Sequence, residues 1–156
     1  MESANGRKAG GIHGRLLTAW STAGVLGPVA ITQLRQGSME NAIENLVSKN
    51  GSNKVLFIQH TGKEKCSMVG DQIAQTAAEN GWEGIITNGY IRDIEVIKDI
   101  PIGVYAKNTY PKKTDKSIGV GEVGVALDFE TMIIKEGAWI YVDSNGWVIS
   151  EKKLEI

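Results

Sequence analysis

Two short runs without polar alternation, with an amphipathic helix pattern between them, constrain this chain more than any other feature. Val55–Gln59 is a short apolar run with β-branched and aromatic content and Gly84–Thr87 is another short run of the same kind centred on Ile85-Ile86, and both read as buried strands, covered on both faces. Between them, the loop Thr61–Lys65 leads to a helix with apolar positions Ile73, Ala74, Ala77 and Ala78, stopped by Asn80-Gly81. Upstream, Val25–Leu34 reads as a strand with Gly27-Pro28 near its start. A helix follows, with Ser38 as N-cap, Met39, Ala42, Ile43, Leu46 and Val47 on one face, and Gly51 near its stop. Downstream, Arg92–Lys98 reads as a helical turn and Pro101–Ala106 as a strand. Strand and helix alternate, so the expectation is a parallel sheet with covering helices.

The last third changes character. Val123–Phe129, Met132–Ile134, Trp139–Val142 and Trp147–Ser150 are short strand candidates separated by Gly, Asp and Asn turns, which predicts an antiparallel layer. Both halves together fit an α/β domain of three layers, β/β/α, spanning 25–156. Residues 1–24 read as a poorly defined arm, in which Leu16, Leu17 and Trp20 give Arg15–Ala23 some apolar character. At 156 residues the chain is long enough for one real core.

Charge and composition narrow the function. With 17 basic and 18 acidic side chains, the formal net charge is −1, so no global field attracts nucleic acid. Cys66 is the single cysteine, and His13 and His60 are the only histidines. That excludes an internal disulfide and argues against a Cys/His zinc site. No apolar run reaches membrane-spanning length and no secretion signal is visible, so the expected location is cytoplasmic.

The chemistry concentrates in one stretch: Gly70-Asp71-Gln72-Ile73, then Asn88-Gly89-Tyr90-Ile91-Arg92-Asp93. A guanidinium grips a carboxylate with two parallel bonds, and a neighbouring carboxylate helps hold Mg²⁺ or Mn²⁺. Taken singly, an aspartate such as Asp71 is more often a helix N-cap than a catalyst, and Arg92-Asp93 alone reads equally as a surface ion pair. His60 reads as a hydrogen-bonded structural residue at a strand end, with Lys63 adding positive potential nearby. Trp82, Trp139 and Trp147 read as core or interface residues, and Cys66 as a small buried residue of a helix start. The sequence Gly119-Val120-Gly121-Glu122-Val123-Gly124 matches G-x-G-x-x-G. It follows a loop bearing Lys112, Lys113 and Lys116 and precedes a strand rather than a helix, so no dinucleotide site is expected.

Gly70-Asp71-x-x-Ala74, Asn80-Gly81-Trp82-x-Gly84, Asn88-Gly89-x-Ile91-Arg92-Asp93 and Tyr141-x-Asp143-x-x-Gly146 resemble the family of the regulator of ribonuclease activity A (RraA-like), which includes the 4-hydroxy-4-methyl-2-oxoglutarate aldolases. The likeness covers roughly Gly27 to Ile156. It implies a swivelling β/β/α fold, a homotrimer or hexamer, and one of two activities. The first is divalent-metal cleavage of 4-hydroxy-4-methyl-2-oxoglutarate to pyruvate, with decarboxylation of oxaloacetate through the same enolate. The second is non-catalytic inhibition of an endoribonuclease. The aldolase signature is an Asp, twenty intervening residues and Arg-Asp, which Asp71, Arg92 and Asp93 satisfy. Regulator-only members typically lack the Asp after the Arg, so the resemblance implies an enzyme acting on a small 2-oxo acid.

By that resemblance Asp93 binds Mg²⁺ or Mn²⁺, and Arg92 orients the substrate carboxylate and offsets enolate charge. Asp71 holds a water or transfers a proton, and the backbone of Gly70, Asp71, Gln72 and Ile73 cradles pyruvate. Glu95 is either a partner orienting the metal ligand or a solvated helix residue. The chain departs from the family at Glu130-Thr131, where Gly-Gly is usual, and at Gly137-Ala138, where Gly-Asp is usual.

Overall fold

The computed structural model describes residues 8–9, 15–16, 29–34, 40–52, 54–60, 65–113, 121–123, 126–129, 132–143 and 146–152. In chain order the elements are β1 (Lys8–Ala9), β2 (Arg15–Leu16), β3 (Val29–Leu34), α1 (Glu40–Val47), β4 (Val55–His60), β5 (Ser67–Val69), α2 (Asp71–Glu79), β6 (Gly84–Thr87), β7 (Tyr90–Ile91), α3 (Ile94–Ile97), β8 (Gly103–Ala106), β9 (Asn108–Thr109), β10 (Gly121–Val123), β11 (Leu127–Phe129), β12 (Met132–Ile134), β13 (Trp139–Asp143) and β14 (Gly146–Ser150).

The two unalternating runs become central strands. β3, β4, β6 and β8 run parallel, with Val29 beside Val55, Val55 beside Gly84, and Gly84 beside Gly103. Their amino ends are thus level. β10 and β2 pair antiparallel on the outer edges, giving the order β10-β3-β4-β6-β8-β2. Leu56, Ile58, Ile85 and Val104 pack in one cluster with Ile43 and Val47 of α1, Ile73, Ala74 and Ala77 of α2, and Ile97 of α3. Val55, Phe57, Ile86 and Tyr105 pack in another with Leu127, Ile134, Ile140, Trp147 and Ile149. Strand alternation sends neighbours to opposite faces, so one sheet supplies two cores and the three-layer β/β/α arrangement follows. Phe57 and Trp147 meet edge-on, 5.1 Å between centroids at 78°, a geometry worth about 0.5–1.5 kcal/mol beyond burial.

A smaller sheet, not anticipated from the sequence, sits beyond the carboxyl ends. β4 is followed by β5, β6 by β7 and β8 by β9, and these three pair in the order β5-β7-β9 in parallel. It repeats in miniature the order of the strands that feed it. Each piece is two or three residues long, too short for a periodicity to register in sequence.

Other expectations are refined. Cys66 precedes a strand, not a helix, and α2 begins at Asp71. The single strand expected over Val123–Phe129 is divided between β10, which edges the central sheet, and β11, which forms a hairpin with β12. Gly121–Val123 lies extended against Leu34, Gln33 and Thr32. Within the expected 1–24 arm, Lys8–Ala9 pairs with β14 and Arg15–Leu16 with β8, so both segments are tied into the domain's sheets. Ser38, Gly27-Pro28, Lys63, Lys116 and Glu130-Thr131 lie outside the described residues. No helix among the described residues is long and apolar enough to cross a membrane.

Candidate active site

The loops leaving the carboxyl ends of β4 and β6 are fastened to each other before they reach the site. Asn88 Oδ1 accepts from the His60 backbone N–H at 2.7 Å, and Asn88 Nδ2 donates to the His60 carbonyl at 3.1 Å. One side-chain amide thereby replaces a missing ladder partner at the end of β4. At Gly89 the place a Cβ would occupy is filled by the Met68 methyl. These two packing demands account for Asn88-Gly89 and bring β5 beside β7. At the other end of the helix, Gly81 has φ +85°, and its N–H donates to the Ala78 carbonyl. A left-handed glycine after the last turn is a common stop.

Arg92 and Asp93 follow β7 directly. Arg92 donates its backbone N–H to the Val69 carbonyl at 3.0 Å. Its Nη1 donates to Ser67 Oγ at 3.2 Å and to the Ser67 carbonyl at 3.3 Å. The side chain is 14% exposed, so the guanidinium is held with one edge in the protein. Asp93, 40% exposed, places Oδ2 3.7 Å from Arg92 Nε and 3.3 Å from the backbone N of Asp71. It is the only non-glycine at positive φ among the described residues (φ 60°, ψ 36°). Aspartate tolerates this left-handed conformation better than most L-residues. There it turns its carboxylate back toward the first turn of α2, while its carbonyl accepts from Val96 and Ile97 to start α3.

Gly70 is where these groups converge. A Cβ built there would lie 2.8 Å from Arg92 Nη2, 2.9 Å from Arg92 Cζ and 2.9 Å from Asp93 Oδ2. Its φ of −120° and ψ of −171° suit any residue, so the glycine answers to side-chain space and not to backbone strain. Asp71 opens α2, and its Oδ1 accepts from the Gln72 N–H at 2.9 Å. Gly70, not Asp71, is the N-cap, and no side chain caps it. Two N–H groups of the anticipated pyruvate cradle, those of Asp71 and Gln72, therefore face the protein's own carboxylates.

The remaining site candidates fall as follows. Ile73 points into the core and Gln72 is exposed. Asp71 and Gln72 border an open cleft of about 430 Å³ between α2 and α3, walled by Gln75, Thr76, Val96 and Ile100. Glu95 is exposed in the first turn of α3, and no hydrogen bond or ion pair joins it to Arg92 or Asp93 among the described residues. His60 Nε2 lies 3.9 Å from Cys66 Sγ, and burial lowers its pKa below the usual histidine value. Ser67, fully buried and bonded to Arg92, escaped the sequence reading. It lies in the uniformly buried stretch Cys66–Val69, where no alternation sets one residue apart.

Among the described residues, no group of three or more His, Cys, Asp or Glu side chains is arranged to hold a metal. A divalent cation at this site would rest on Asp93, with water and substrate oxygens filling the other positions. Mg²⁺ commonly binds through one or two carboxylates in this way. The exposure of Asp93 leaves room for those waters, so the donor set fits a hard cation.

Comparison with known proteins places the chain in a family. The profile of the RraA-like family, described as Aldolase/RraA, matches residues 1–149. A Pseudomonas putida (strain W619) protein named "Putative 4-hydroxy-4-methyl-2-oxoglutarate aldolase" is 37% identical over 114 residues, covering 73% of this chain and 69% of the relative. Its namesake from Pseudomonas aeruginosa (strain LESB58) is 39% identical over 114 residues, covering 73% and 70%. The structure of the RNA-processing inhibitor RraA from Thermus thermophilis superposes with a TM-score of 0.86 at 24% identity, over 99% of this chain and 96% of that one. A Geobacillus kaustophilus structure described as an S-adenosylmethionine:2-dimethylmenaquinone methyltransferase gives 0.85 at 28% identity, over 95% and 89%. The chain belongs to the RraA-like (Aldolase/RraA) family.

Proposed function

We propose that the chain is a carbon–carbon lyase that cleaves 4-hydroxy-4-methyl-2-oxoglutarate, or a close 2-oxo acid, to pyruvate. Oxaloacetate is decarboxylated at the same site, Mg²⁺ or Mn²⁺ is held at Asp93, and the working assembly is a homotrimer or hexamer. The observation that carries this reading is the convergence of Arg92 and Asp93 over Gly70, at the first turn of the helix that Asp71 opens. The aldolase names of the relatives support the same reaction class.

Each side chain then has a task. Cleavage leaves an electron pair on the carbon that becomes the pyruvate methyl, in conjugation with the 2-oxo group. A cation bound at Asp93 supplies Lewis-acid stabilisation of that charge. Arg92, anchored on Ser67 through Nη1, grips the substrate carboxylate and adds fixed positive charge without reorganising. Asp71, half-exposed at the helix start, takes the proton of the substrate hydroxyl through water as the bond breaks, and a proton returned by the same route to the enolate carbon completes pyruvate. The cleft beside Asp71 gives room for the substrate beyond its reacting carbon, at a volume usual for small-molecule sites.

The test is pyruvate release from oxaloacetate and from 4-hydroxy-4-methyl-2-oxoglutarate, coupled to lactate dehydrogenase, with Mg²⁺ or Mn²⁺ and then with excess EDTA. Release above the metal-only background, abolished by EDTA, is the expected result. No release from either substrate with either metal would refute the reading. Regulation of an endoribonuclease is the second reading, and it rests on likeness of fold to the Thermus protein, which is an association and not a mechanism. Pull-down of the host's endoribonuclease at micromolar concentration, without pyruvate release, would favour it.

A further inference from the structure

We propose that Ser67 is a positioning residue that sets the direction of the Arg92 guanidinium; the inference rests on the carboxylate-binding role proposed for Arg92. Ser67 is fully buried, and a buried hydroxyl is costly unless its hydrogen bonds are made. Here its Oγ accepts from Arg92 Nη1 at 3.2 Å and donates to the Lys112 carbonyl at 3.1 Å. Its backbone does the same in parallel: the carbonyl accepts from Nη1 at 3.3 Å, and the N–H donates to the Lys112 carbonyl at 2.8 Å. Both oxygens of one residue converge on one guanidinium nitrogen, and both of its donors converge on one carbonyl.

This arrangement fixes Arg92 at two points. Its backbone is held on the Val69 carbonyl at 3.0 Å and its head on Ser67, two residues back along the same strand. The register of β5 against β7 shifts between Ser67 and Val69, and such irregularities commonly re-aim a side chain. The Lys112 carbonyl, on the segment after β9, orients the serine hydroxyl and so decides which lone pair meets Nη1. With Nη1 committed to Ser67, Nη2 is turned toward Gly70 and the first turn of α2.

The experiment compares the unaltered protein with Ser67→Ala, Arg92→Ala and the double variant, with Ser67→Thr as the conservative replacement that keeps a hydroxyl. Two readouts are independent of turnover: pyruvate affinity by calorimetry in the presence of Mg²⁺, and guanidinium rotation at Arg92 by ¹⁵N side-chain NMR. In the unaltered protein the rotation is expected to be hindered. Ser67→Ala is expected to free it, weaken pyruvate binding about tenfold, roughly one charge-assisted hydrogen bond in magnitude, and leave the backbone spectrum intact. Ser67→Thr is expected to recover part of both effects. In the Arg92→Ala background, Ser67→Ala should add nothing, because the partner it positions is gone. An unchanged Arg92 signal in Ser67→Ala, or additive losses in the double variant, overturns the proposal. If the unaltered protein binds pyruvate but releases none from either substrate, the lyase reading fails while the positioning test still stands. If it does not bind pyruvate at all, both fail.

Discussion

Replacing Gly70 by alanine separates site geometry from stability more cleanly than any other single change. The backbone at this position is extended and accepts a side chain without strain. The added methyl, however, would lie 2.8–2.9 Å from Arg92 Nη2, Arg92 Cζ and Asp93 Oδ2, where ordinary contact begins at 3.4 Å. Both charged groups must therefore retreat by about 0.5 Å, and they do so together because one methyl touches both. A 1 Å misplacement can cost about 100-fold in rate, so a half-ångström shift of the carboxylate grip and the cation ligand at once predicts a loss of about 10-fold or more in kcat/KM. The stability cost should be small. The displaced atoms are side-chain ends and not backbone, which puts the overpacking near the low end of the usual range, about 1 kcal/mol. Loss of a glycine N-cap adds about 0.5 kcal/mol. For a chain of this size that is about 3–6 °C in Tm. Pyruvate release and thermal unfolding, measured on one preparation, decide the matter. Unchanged kcat/KM in a folded Gly70→Ala protein would falsify the claim that Gly70 keeps space for the Arg92–Asp93 pair.

Four further outcomes follow from particular contacts. Asp93→Asn keeps the shape and the left-handed tolerance but removes the charge, so metal-dependent pyruvate release should vanish with Tm within about 4 °C, since a partly exposed ion pair contributes about 0–1 kcal/mol. At the same position Asp93→Ala should be about 1 kcal/mol less stable than Asp93→Gly, because only glycine adopts φ near +60° at no steric cost; equal denaturation midpoints would contradict the strain argument. Burial lowers the pKa of His60, so the unfolded chain binds this proton more readily; the contribution is fully present above about pH 6.5 and is lost as pH falls through the lowered folded value. His60→Gln should flatten that part of the stability–pH curve, and an unchanged slope would show that another group carries it. Asn88→Ala strands the His60 N–H and carbonyl and should cost about 1–3 kcal/mol in urea unfolding.

The layers of the fold were legible because burial on both faces of the central strands writes itself as apolar runs. Val55–Gln59 could be read as a strand because Leu56 and Ile58 face one core while Val55 and Phe57 face the other. The small sheet was not legible. β7 and β9 have two residues each, and their pairing depends on the strands before them. At the candidate site, residue type and the family resemblance single out Asp71, Arg92 and Asp93, whereas the tie between Ser67 and Arg92 is a hydrogen bond that crosses 25 residues and leaves no mark in the sequence. The first-turn N–H groups were expected to cradle a ligand carboxylate, yet two of them already face protein carboxylates. Propensity predicts a helix start but not which anion arrives there.

The spacing of the motif itself has a physical origin. Asp71 and Arg92 are separated by twenty residues, and that interval is one helix, one turn, one strand and the start of the small sheet. The nine residues of α2 carry the chain about 13–14 Å away from the site at about 1.5 Å per residue. After the turn closed by Gly81, the four residues of β6 bring it back about 13 Å at about 3.3 Å per residue. The outward and return paths match, and Asn88, Gly89 and β7 then carry the chain on to Arg92 beside the first turn of α2. Lengthening one leg alone moves the guanidinium off Gly70, because each strand residue is a step of about 3.3 Å and also reverses the face on which every following side chain lies. The interval is therefore a consequence of matching one helix to one strand and their connections, and the Asn88 clip holds the return leg at its stopping point.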